Sequence, residues 1–164
     1  MSNKKGPSWL REDLVIVPLR AKNVVEAITQ LGECLQAGGF VKASWTQATL
    51  EREKTFATGL PTPEVGVAIP HTDVEHVLEP AVAIGVLEQP VDFGEMGNPE
   101  ASVSVKLVCA LAVAHSELLI TLLQQLVALF QTPGMLRQIV NSQSPAEIIQ
   151  IFEAHIQFEQ EITA

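Results

Sequence analysis

The chain has 164 residues, the size of one ordinary domain, and 47% of them are hydrophobic, so a real core is available. The formal net charge is −9 and no run of Lys or Arg forms a basic face, Lys4-Lys5 being only a pair, which excludes the clustered positive charge that nucleic acid requires. Aromatic residues make up 5% and tyrosine is absent, so the core must be built mostly from Leu, Ile, Val and Ala.

In chain order, residues 1–13 are polar and contain Gly and Pro, and are expected to be loosely ordered. "LVIVPL" at 14–19 predicts an edge strand, because Pro18 removes a ladder donor. From Val24 the apolar residues Val24, Ala27, Ile28, Leu31, Cys34 and Leu35 follow helical spacing. Asn23 is the expected N-cap, with Glu26 as its capping-box partner and Gly38-Gly39 as the stop. A second helix is expected over 44–56, with Ser44 as N-cap and Gln47 at the matching third position. "GLPTPEVG" reads as a loop and "VAI" as a short strand. Residues 81–91 and 101–113 read as buried strands, with "DFGEMGNPE" between them as a loop. A long helix starts at Ser116 and breaks at Pro133-Gly134. Two shorter helical patterns follow, the last capped by Ser144 with Pro145 at its first position. This order predicts a single α/β domain with a mixed sheet sandwiched between helices.

Cys34 and Cys109 lie in apolar patterns and read as buried, reduced thiols. The N-terminal stretch lacks the apolar core of a signal peptide. "LVCALAV" is far short of the roughly 20 residues a membrane span needs. A soluble cytoplasmic protein without direct membrane insertion is expected.

The chemistry concentrates at "GVAIPHTDVEH", residues 66–76. Pro70 has a fixed φ and pushes Ile69 into an extended conformation, so the strand end fixes the direction in which His71 leaves. His71 is then expected half buried at the sheet rim. Three uses are open. A neutral imidazole held in one tautomer can attack a phosphoryl group. Arg52 would then supply a fork for phosphate oxygens and Thr58 a hydroxyl. Alternatively, His71, Asp73, Glu75 and His76 could ligate a metal, although their spacing matches no strong zinc pattern. Finally, His71 could be structural. No GxxxxGK, GxGxxG or GxSxG motif is present, so nucleotide binding by those routes is unsupported.

Arg52-Glu53, Thr58-Gly59 and Ala68-Ile69-Pro70-His71 together resemble the fructose/mannitol-type EIIA domain of the bacterial phosphoenolpyruvate-dependent sugar phosphotransferase system. The resemblance runs from about Leu14 to about Phe152 and includes "AGGF", "VDFGEM" and the long helix. It implies an EIIA-type phosphocarrier domain over 14–155, with 156–164 as a helix end or tail. It further implies that His71 accepts a phosphoryl group from phospho-HPr and passes it to a cysteine of a cognate EIIB, which serves a membrane EIIC. Arg52 would lie near the phosphoryl group and Thr58 near the imidazole. His115 falls near a family histidine at the start of the long helix and is a candidate helper; His76 is a weaker one. Glu53 reads as readily as a structural salt bridge as a part of the site. No cofactor or metal is implied. The spellings "EREKTF" and "PHTDVEH" are similar to galactitol-type members. A regulatory EIIA-like module that signals through the phosphorylation state of His71 is the alternative.

Overall fold

The computed structural model of the protein describes residues 9–156. Strand β1 (Val15–Leu19) is followed by α1 (Val24–Ala37) and α2 (Trp45–Thr55). Two short strands, β2 (Gly59–Leu60) and β3 (Gly66–Ala68), precede the long strands β4 (Ala81–Glu95) and β5 (Asn98–Ala112). Helices α3 (Ser116–Gln131), α4 (Met135–Asn141) and α5 (Pro145–His155) close the chain. The sheet is mixed: β4 runs parallel to β1 and antiparallel to β5, while β3 lies parallel to β5 and antiparallel to β2. Among the described residues, one five-stranded sheet with five α-helices agrees with the α/β architecture expected from the sequence.

Local capping chemistry builds two of the helices as anticipated. The Asn23 side chain accepts from Glu26 N at 2.9 Å, and Glu26 reaches back to accept from Lys22 N at 2.8 Å. Ser144 Oγ accepts from Glu147 N at 3.1 Å, with Pro145 opening α5. Ser44 departs from expectation. It precedes α2 with helical backbone angles and makes no cap bond. Its hydroxyl instead bonds His76 Nδ1 at 2.8 Å.

The core is aliphatic, as the composition requires. Leu19, Leu31, Ile84 and Leu107 are fully buried, and α1 packs on β4 where Gly85 leaves room for Leu19 and Leu31. The expected loose start does not hold for residues 9–13. Trp9 and Leu10 are buried, and Val82 N donates to the Trp9 carbonyl at 3.3 Å, tying this segment to β4. The remainder of that segment, and all of the expected 156–164 tail beyond Ile156, lie outside the described residues. Among the described residues β1 pairs only with β4 and is an edge strand, as Pro18 demands.

The largest correction concerns residues 92–100. These form no loop: β4 runs to Glu95, turns through Met96-Gly97 and re-enters the sheet as β5 at Asn98. The glycines and Pro99 imitate loop composition, but Gly97 supplies the positive φ (78°) that a two-residue hairpin needs. Phe93 is fully buried and opposes Val103. Among the described residues, no single helix is long and apolar enough to cross a membrane.

β2 closes against the hairpin tip. Gly59 pairs with Glu95, and its carbonyl accepts from Met96 N at 2.8 Å. A Cβ on Gly59 would stand 2.5 Å from the Gly94 carbonyl oxygen, a backbone atom with little freedom to retreat. Gly59→Ala is therefore expected to lower the unfolding free energy by about 1–3 kcal/mol in a urea titration. A loss below about 0.5 kcal/mol, typical of an unconstrained surface site, would show that the close approach is not required.

Candidate functional site

The site begins where β3 ends. Ala68 pairs with Val108, and the Pro70 carbonyl accepts from Leu111 N at 3.0 Å, so the chain remains attached to β5 beyond the last strand residue. His71 leaves from this rigid base and is more enclosed than expected: it is 8% exposed, not half buried. Its ring folds back so that Nδ1 lies 2.8 Å from the Ile69 carbonyl oxygen. A carbonyl can only accept, so Nδ1 carries the proton and Nε2 keeps its lone pair in the neutral ring. Burial is the main influence on the imidazole and holds its pKa below the ordinary 6.5. The Ile69 hydrogen bond opposes that shift, the Arg52 charge reinforces it, and Asp73 opposes it.

A second layer lies behind Ile69. Thr58 N donates to Glu53 Oε2 at 2.8 Å, and Thr58 Oγ1 lies 3.1 Å from both Glu53 oxygens. The same hydroxyl oxygen accepts from Ile69 N at 3.1 Å. Thr58 therefore holds the backbone that carries His71, two residues before the imidazole that the resemblance places it near. Glu53 is 7% exposed and makes no salt bridge among the described residues. Burial raises its pKa, with the Thr58 bonds and Arg52 acting in the other direction. The structural salt bridge considered for Glu53 is thus replaced by a clasp on Thr58. The sequence carried one signal for it, the Glu five residues before Thr, but the link to Ile69 depends on tertiary contact.

Arg52 sits in the last turn of α2, with its guanidinium over the Phe56 ring at 5.0 Å from the centroid. Among the described residues its Nε is buried without a hydrogen-bond partner, and the guanidinium makes no salt bridge. His115 occupies the N-cap position of α3, exposed and without a cap bond. It follows β5 at the same sheet end as Pro70, but among the described residues no hydrogen bond joins it to His71. His76 is half buried, held by Ser44 and facing Glu75 at 3.4 Å. Asp73 and Glu75 are exposed. The 71–76 segment does not converge on a metal position: among the described residues no group of three or more His, Cys, Asp or Glu could hold an ion. Cys109 is fully buried, which pushes its thiol pKa far up, and Cys34 is half buried. A surface cavity of about 640 Å³ lies at Gly66, the opposite end of β3, and His71 does not line it.

Residues 8–155 match the family described as "Phosphoenolpyruvate-dependent sugar phosphotransferase system, EIIA 2". The galactitol-specific EIIA component of Escherichia coli (strain K12) is 30% identical over 115 residues, covering 70% of this chain and 76% of that protein. The transcriptional regulator ManR of Bacillus subtilis (strain 168) is 26% identical over 147 residues, covering 88% of this chain and 20% of the regulator. The crystal structure of IIA mannitol from Escherichia coli superimposes with a TM-score of 0.68 at 27% identity, covering 85% of this chain and 95% of that one. The family match spans every strand and helix of the fold, including the His71 turn and the Glu53–Thr58 clasp behind it, and the chain belongs to the EIIA 2 family of the phosphoenolpyruvate-dependent sugar phosphotransferase system.

Proposed function

We propose that the protein is a cytoplasmic phosphocarrier EIIA component in which His71 Nε2 takes a phosphoryl group from phospho-HPr and hands it to the cysteine of a cognate EIIB. The observation that carries this reading is the 2.8 Å contact between His71 Nδ1 and the Ile69 carbonyl, on a buried ring whose pKa is held down. In the first step the Nε2 lone pair attacks phosphorus while the bond to the donor histidine breaks and its electron pair returns to the leaving nitrogen. In the second, a thiolate of EIIB attacks phosphorus and the bond to His71 Nε2 breaks. The proton stays on Nδ1 throughout, hydrogen-bonded to the Ile69 carbonyl, so the ring departs as the same neutral tautomer that began. Little other covalent chemistry is needed, because positioning and charge supply most of phosphoryl-transfer catalysis. Arg52, whose charge is felt at His71, provides the positive charge for the phosphoryl oxygens. His115, at the same sheet end, is a candidate to meet the phosphoryl group once it is in place.

The likeness to the galactitol-specific component favours a galactitol-type sugar, with uptake through the EIIC that the cognate EIIB serves. The likeness to ManR favours a second reading, in which the phosphorylation state of His71 is a signal. Transfer to EIIB separates the two. A carrier discharges rapidly onto its EIIB, whereas a signalling module keeps its phosphoryl group in the presence of the same partner.

Incubation with phosphoenolpyruvate, enzyme I and HPr should add one phosphoryl group, mapped to His71 under non-acidic conditions. His71→Ala should abolish the adduct. Arg52→Ala should slow its formation by roughly 10²-fold, the scale for loss of one preorganised donor, with thermal stability unchanged. An adduct of equal yield in His71→Ala would overturn the reading.

The depressed pKa also has a consequence for pH. Between 6.5 and the lower folded value the unfolded chain binds the His71 proton more readily than the folded one. The stability this neutral ring contributes is therefore intact above 6.5 and is lost as the pH falls below it towards the folded pKa. An NMR titration should place the His71 midpoint below 6.5. A midpoint at or above that value would remove the argument from burial.

A further inference from the structure

We propose that Glu53 is a positioning residue, which acts through Thr58 and the Ile69 backbone to hold His71 in the tautomer that leaves Nε2 free. For its effect on transfer this rests on the phosphocarrier reading above. Thr58 Oγ1 has one hydrogen, and the oxygen already accepts from Ile69 N. That hydrogen must therefore point elsewhere, and both Glu53 oxygens stand 3.1 Å away. Thr58 N also donates to Glu53. Two donors of one residue thus converge on one carboxylate, which can only accept when ionised. The backbone fixes two of the directions by itself, since Ile69 N–H can only give to Thr58 and the Ile69 carbonyl can only accept from His71 Nδ1–H. What Glu53 sets is the direction of the Thr58 hydroxyl, and with it the position at which the Ile69 peptide is held. Ile69 is held at both ends, and Pro70 removes the φ freedom that follows it.

A purely structural role accounts poorly for a carboxylate at this place. Glu53 is buried with no salt-bridge partner among the described residues, and an unpaired buried charge is costly. A neutral amide of the same shape would avoid that cost. It would, however, oppose one of its own N–H groups to a Thr58 donor, and the hydroxyl would lose its single direction. Glu53 touches no reacting atom, so its influence has to pass through Ile69.

The test compares Glu53→Gln, Thr58→Val and Thr58→Ser with the wild type. Long-range ¹H–¹⁵N NMR reads the His71 tautomer without any phosphoryl donor, amide spectra report the fold, and phospho-HPr gives the rate of phosphoryl acceptance. The wild type should show only the Nδ1–H form. Glu53→Gln and Thr58→Val should show mixed tautomers and accept roughly 10- to 100-fold more slowly, the scale of a small misplacement of a reacting group. Thr58→Ser, which keeps the hydroxyl, should restore both properties. Folded Glu53→Gln and Thr58→Val proteins that keep the Nδ1–H tautomer would overturn the proposal, whatever their rates. If Glu53→Gln does not fold, Thr58→Val decides, since it leaves the Thr58 N bond to Glu53 in place. If neither folds, the clasp is a stability element and the proposal fails. A wild type that takes no phosphoryl group at His71, with variants whose tautomers still shift, would sink the relay and leave the positioning role standing.

Discussion

The hydrogen bond from His71 Nδ1 to the carbonyl of Ile69, two residues back, is the constraint on which the site depends. It is short in sequence but could not form in an isolated peptide with any permanence. The carbonyl must be held still, and the ring must be kept from water that would compete for Nδ1. Both conditions come from the sheet. β3 lies between β2 and β5, and the Pro70 carbonyl is itself engaged by Leu111. Ile69 is 1% exposed, so the acceptor has no solvent to turn to. The three-residue strand is thus less a structural element than a mount for a single peptide group.

Burial acts in opposite chemical directions on the two titratable groups of this region. It keeps the His71 imidazole neutral, and it raises the pKa of the Glu53 carboxyl. Arg52 pushes both groups towards the state in which a negative Glu53 accompanies a neutral His71. One half-buried cation therefore supports two different protonation states, because one partner is a base and the other an acid. An arginine can thus favour the neutral form of an imidazole without bonding to it.

How much of this could be read from the residues divides along sequence distance. Asn23 and Ser144 behaved as expected because their cap partners lie three residues ahead, within the reach of local pattern. Ser44 has the same spelling, but its partner His76 is 32 residues away, and nothing nearby announces that competition. Residues 92–100 were misleading for a related reason. Gly94 and Gly97 look like loop punctuation, whereas Gly97 forms the hairpin turn and Gly94 allows the strand to pass Ala57 closely. The His71 turn was legible through Pro70, which sets direction locally. The link from Glu53 through Thr58 to Ile69 was not, because it needs α2, β2 and β3 to be brought together by the closing contact of Gly59 with the hairpin tip.

That closing contact also bears on what the site can do. A phosphoryl carrier must hold its group firmly enough to prevent loss to water, yet weakly enough to release it. A pocket lined with many fixed donors would favour the first at the expense of the second. Here the fixed elements lie behind the imidazole, on the Nδ1 side, while the groups proposed to meet a phosphoryl oxygen are held less tightly. Arg52 rests on Phe56, which is 60% exposed, and His115 is exposed at the head of α3. The ring is anchored through Nδ1, so the anchoring bond leaves Nε2 unengaged. In the proposed relay the protein would spend its order on the nucleophile and leave much of the oxyanion environment to be completed by whichever partner is docked, which suits a group that has to be received from one protein and given up to another.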